Sequence, residues 1–138
     1  MRISVLLFAS SLTLTSTQAG EMAKQGENNS TSYYVAIPDS GSPVQWVGIQ
    51  RSDSGDPMFD FMGVNSTDLG GHGTEVQMDP SGYQIFVTWG RSGEFHYTGG
   101  TGKFAGISGE GTWSCTHPRS PDGRELSVCH NKSSWKLP

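Results

Sequence analysis

No stretch of this sequence holds an apolar pattern of helical period long enough to make a helix, because glycine and proline interrupt it every few residues. Between the breaks lie short runs rich in β-branched and aromatic residues, the types that fit a pleated, half-buried surface. Eight of these runs read as strands: Tyr33–Ile37, Val44–Gln50, Met58–Val64, Gly73–Met78, Tyr83–Trp89, Glu94–Thr98, Ile107–Ser114 and Glu125–His130. Ser134–Leu137 is a candidate ninth. The links between them carry turn chemistry. Asp79-Pro80-Ser81-Gly82 places Pro second in a β-turn and closes it with Gly, which makes Gly73–Trp89 a hairpin. Gly90-Arg91-Ser92-Gly93 joins the next two strands in the same way.

Alternation then assigns faces. Tyr83, Ile85, Val87 and Trp89 share one side of their strand, with Gln84, Phe86 and Thr88 on the other. Short strands, hairpin turns and no helix mean a sandwich or a barrel. Apolar residues on both faces of Tyr83–Trp89 favour closed or two-sided packing. The expected fold is all-β with about eight short antiparallel strands, as a barrel or a sandwich. These runs are too short and too glycine-rich for the roughly 10-residue lipid-facing strands of a membrane barrel.

The chain ends set the compartment. Arg2, the apolar run from Ile3 to Ala9 and the small residues at Thr17 and Ala19 read as a signal peptide over residues 1–19, cleaved before Gly20. The expected location is therefore secreted or periplasmic, with no membrane span in the mature protein. Residues 20–32 are polar and aperiodic and read as a flexible lead-in, and residues 33–138 read as one domain. Loss of Arg2 makes the mature chain one unit more negative than the full chain's −4. That balance argues against nucleic acid or anionic lipid as a partner, since both need a basic face. In an oxidising compartment the pair Cys115 and Cys129 reads as a disulfide stapling the last hairpin across the Pro118–Gly123 loop. A metal site with His117 and His130 is the rival reading, but it lacks the paired Cys spacing of structural zinc. No metal and no cofactor are expected.

The most informative stretch is Gly99–Thr112, GGTGKFAGISGEGT. Its glycines permit positive φ and close strand approach, and Phe104 is placed to plug an apolar core. The phosphate-loop spacing is absent and no helix follows, so a nucleotide site is not indicated. This stretch resembles the Gly-Gly-Thr-Gly-Lys-Phe/Tyr signature of the allene oxide cyclase barrel and dirigent-like proteins. The likeness extends upstream through Gly71-His72-Gly73-Thr74 and Asp79–Trp89 and covers about a third of the chain. The resemblance makes the expected fold a small antiparallel barrel of about eight strands and implies an apolar, cup-like interior that works without a cofactor. It matches structural positions only, so no working residue of that family transfers to a numbered position here.

Candidate site residues come from the alternation. Glu94 and His96 share one strand face and would make an acid–base pair if that face lined the interior. Glu110, between Gly109 and Gly111, could polarise a ligand if it pointed inward. Trp46, Tyr83, Trp89 and Trp113 are candidates to line an apolar ligand cavity, or else they fill the core. The expected function is binding of a small apolar ligand or a protein partner without catalysis. The alternatives are a cofactor-free cyclase or isomerase acting inside the barrel, and an interaction protein with a filled barrel.

Overall fold

The computed structural model describes the backbone of residues 23–41, 44–67 and 71–138, and the side chains of these residues except 64–67. The stretch read as a signal peptide lies outside the described residues. Eight strands follow one another: β1 (Gln25–Ala36), β2 (Val44–Ser52), β3 (Phe61–Thr67), β4 (His72–Met78), β5 (Gln84–Gly90), β6 (Glu94–Gly100), β7 (Ser108–Thr116) and β8 (Leu126–Lys136). Each pairs antiparallel with the next, and β1 pairs with β8 to close the barrel. The all-β, eight-stranded antiparallel barrel expected from the strand pattern together with the family resemblance is the fold observed. No helix among the described residues is long and apolar enough to cross a membrane.

Three local expectations are corrected. Residues 25–32 of the supposed flexible lead-in are the first part of β1, paired with β8 from Gln25↔Lys136 onward. Their polarity makes them read as unstructured, and it is also the reason they fit: Asn28, Ser30 and Ser32 alternate into a polar interior wall. There Ser52 Oγ donates to Asn28 Oδ1 at 3.1 Å, and Asn131 Nδ2 donates to Ser32 Oγ at 2.6 Å. Next, β3 begins at Phe61 rather than Met58. Pro57–Phe59 forms a 3-10 turn capped by Asp56, whose Oδ1 accepts from Met58 N at 2.9 Å. Last, the eighth and ninth strands are one, β8, because Asn131–Ser133 pairs with β7 and β1 on either side.

One end of the barrel is packed solid. Phe59, Phe61, Ile85, Phe104, Ile107 and Trp135 meet there, with Phe104 and Ile85 fully buried. The glycine-rich motif seals this end. Its turn Gly102–Phe104 drives Phe104 against Phe61, with ring centroids 5.8 Å apart. Gly102 takes φ +55°, and the Tyr83 ring lies against it so closely that a Cβ would sit 2.1 Å from the ring. Outside, apolar residues stay exposed rather than covered. Tyr33, Ile49, Met62 and Met78 stand side by side in register across β1–β4, and Phe86 is exposed on β5. Closure of the barrel therefore accounts for the inner apolar face of β5 and leaves the outer one bare.

Cys115 and Cys129 face each other in register on β7 and β8 and are joined as a disulfide, so these sulfurs are not free as metal ligands. A crosslink closing a loop of about 15 residues contributes about 3 kcal/mol on the chain-entropy estimate. The C115A/C129A double variant is expected to lose about that much in urea unfolding at neutral pH. An unchanged midpoint would mean that β7 and β8 stay paired in the unfolded ensemble without the bond.

Candidate functional site

Above the packed end the barrel encloses a cavity of about 160 Å³. Its two walls differ in chemistry. Ser30, Ser32, Gln50, Ser127 and Asn131 from β1, β2 and β8 make a hydroxyl and amide wall. Opposite them stand Trp89, Phe95, Tyr97 and Trp113 from β5, β6 and β7, in two edge-to-face pairs with centroids 5.8 Å and 5.5 Å apart. Trp46 of β2 joins the lining, and the disulfide and the exposed His117 lie toward the open end.

At the meeting of the walls lies a buried carboxyl, Glu75 on β4. The Tyr34 hydroxyl on β1 donates to Glu75 Oε1 from three strands away. That reach depends on two glycines in the row between them. A Cβ on Gly48 would stand 2.6 Å from the Tyr34 ring, and one on Gly63 would stand 2.6 Å from the Tyr34 hydroxyl and 2.8 Å from Glu75 Oε1. Only a bare backbone at both places lets the phenol lie across β2 and β3. Gln77 Nε2 adds a second donor to Glu75 Oε1 at 3.0 Å and approaches Gln50 Oε1 at 3.3 Å. Gly63→Ala is therefore expected to detach Tyr34 from Glu75. The readout is a shift of the Tyr34 hydroxyl absorbance in a pH titration toward that of an ordinary phenol.

Burial dominates the electrostatics here. Desolvation raises the Glu75 pKa above the usual carboxylate value, against the hydrogen bonds from Tyr34 and Gln77. It also pushes Tyr34 well above an ordinary phenol, reinforced by the charge and hydrogen bond of Glu75. Tyr97 is pushed up to about 12 by burial, against its bond to Ser133 Oγ at 3.0 Å.

Three of the four tryptophan and tyrosine residues expected to line a cavity do so: Trp46, Trp89 and Trp113. Tyr83 does not, being 42% exposed beside the turn it follows. Glu94, His96 and Glu110 are not in the lining. Phe95 and Tyr97 take the inward positions of β6, which turns Glu94 and His96 outward. His96 Nδ1 instead stands 4.0 Å from Glu110 Oε2 across β6 and β7, in solvent. Sequence reasoning misses Tyr34, Glu75, Gln77 and Gln50. The sequence does carry a signal for Glu75: the Asp79–Gly82 turn sets the β4–β5 register, which pairs Glu75 with Val87 and Gln77 with Ile85 on the buried side. The sequence carries N-x-Ser/Thr glycosylation sequons at Asn28, Asn29, Asn65 and Asn131. Asn28 and Asn131 face inward, Asn29 is exposed, and the Asn65 side chain lies outside the described residues.

No protein family and no curated protein matches this chain. Solved structures similar to it include the pterocarpan synthase dirigent protein GePTS1 and the pterocarpan synthase dirigent protein PsPTS1. The first has a TM-score of 0.46 and 9% identity over 86% of this chain and 90% of its own. The second has a TM-score of 0.48 and 8% identity over 85% of this chain and 99% of its own.

Proposed function

We propose that this protein is exported and binds a small amphipathic molecule inside the barrel without transforming it. The carrying observation is the cavity of about 160 Å³ with one aromatic and one polar wall. Drug-sized ligands occupy roughly 300 Å³ or more, whereas an apolar cavity near 150 Å³ accepts a single benzene ring. The occupant is thus about one ring in size, with a polar group for the Glu75 end. The disulfide supports export, since such bonds persist in oxidising compartments.

Phenol titrated into the protein is expected to change its tryptophan fluorescence saturably, because three tryptophans line the cavity. Val87→Phe, which fills the space from β5, is expected to abolish that change while the barrel stays folded. Equal binding by the filled variant would place phenol elsewhere and remove this reading.

A second reading, a cofactor-free isomerase, draws on the Glu75 and Tyr34 pair. A carboxyl raised by burial beside a phenol has the make-up of a proton carrier. It differs from the first in one observable: a bound ligand recovered rearranged, with the rearrangement lost in Glu75→Gln.

A further inference from the structure

The cavity holds a buried carboxyl that no cation answers. Glu75 is 9% exposed, its partners are Tyr34 and Gln77, and no cationic side chain among the described residues pairs with it. An isolated carboxylate is costly to bury unless something supplies the opposite charge. The remaining lining indicates the sign of what is missing. It contains no Lys or Arg, so an anionic ligand would meet no permanent counter-charge. Trp89, Trp113, Phe95 and Tyr97 form the apolar wall that the hydrocarbon part of a ligand would meet. Gln77 Oε1 is buried there with no donor, so an N–H from a ligand would satisfy it.

Resting on the reading that the cavity binds a ligand, we propose that its occupant is a small organic cation, an alkyl- or arylammonium of about one ring in size. The ammonium sits at Glu75 and Gln77, and its hydrocarbon part lies against the tryptophan faces. This assignment turns the buried carboxyl from an uncompensated cost into the recognition element. It also sets a pH dependence. The groups facing Glu75 are Tyr34 from β1, Gln77 on its own strand and Tyr97 from β6, with His117 toward the open end beyond β7. Both phenols stay neutral well above neutral pH. Acidification therefore neutralises Glu75, whose carboxyl burial already holds above the usual value, and that weakens binding of a cation.

The test is calorimetry on the disulfide-bonded protein with benzylammonium, benzyl alcohol and benzoate, one ring carrying positive, zero and negative charge. Benzylammonium is expected to bind at least about tenfold more tightly than benzyl alcohol, with benzoate weakest. Glu75→Gln is expected to bring benzylammonium to the affinity of benzyl alcohol. Should that variant not fold, the unaltered protein decides: affinity for benzylammonium must fall as pH is lowered, and affinity for benzyl alcohol must not follow it. Benzyl alcohol binding as tightly as benzylammonium would overturn the cation assignment and leave ligand binding in place. If phenol binds and none of the three does, the cation assignment likewise falls. If phenol fails as well, the ligand reading itself falls.

Discussion

Phe104→Ala is expected to lower the unfolding free energy by about 3–5 kcal/mol, a large share of the 5–15 kcal/mol that holds a typical domain together. The ring is fully buried at the closed end of the barrel, edge-on to Phe61 and capped from outside by Lys103 Nζ, 4.9 Å from its centroid. Its neighbours cannot collapse into the gap, because Phe59, Phe61 and Trp135 already pack against one another. The cost therefore includes a cavity as well as lost transfer energy. Phe104→Leu keeps most of the volume and is expected to cost about half as much or less. Urea unfolding followed through Trp135, which shares this cluster, measures both. A loss under about 1 kcal/mol for the alanine variant would show that the motif closes the barrel without belonging to its cooperative core.

Asp79→Ala is expected to cost about 2–4 kcal/mol, through the turn rather than the core. Asp79 is 3% exposed. Its Oδ1 accepts from Ser81 N and Tyr83 N, each at 2.9 Å, and its Oδ2 meets Lys103 Nζ at 2.5 Å. One carboxylate thus joins the β4–β5 turn to the glycine-rich seal, and removing it leaves two amides and an ammonium without their acceptor. Burial pushes the Asp79 pKa up, but Lys103 and the two amides outweigh it and hold it below the usual value. A depressed folded pKa means that this stabilisation is complete above the unfolded value, about 3.9, and drains away as pH falls through the folded one. Urea midpoints measured from neutral pH downward are expected to fall more steeply below about pH 4 for the native chain than for Asp79→Asn. Parallel curves would show that the carboxylate charge contributes nothing to the turn.

Both residues stand in stretches whose role is legible from neighbouring residues alone. Glycines on either side of Phe104 mark it as a plug, and Asp79 stands first in a recognisable turn. The candidate site is much less legible. Glu94 and His96 suggest an acid–base pair because they share a strand face, yet Phe95 and Tyr97 claim the inside of β6, which leaves His96 exposed and Glu94 half-buried on the outer face. Glu75 does not stand out, because a lone Glu in a strand is ordinarily an outward, solvated one. Its partner Tyr34 lies 41 residues away, and the two glycines that let them meet sit on the strands between.

Local chemistry alone determined that the chain is all-β, where most of its turns fall and that its cysteines pair, and it left the choice between a barrel and a sandwich to the likeness of the Gly99–Thr112 motif. Strand alternation, turn residues and glycine tolerance act over a few residues, so they are written where they operate. The tertiary structure alone decided which face of each strand is inside, that polar residues 25–32 form a strand, and that the interior is half plug and half cavity. Those outcomes depend on register and closure, which bring residues from distant strands together. A buried carboxyl becomes visible only once the strands that bury it are paired.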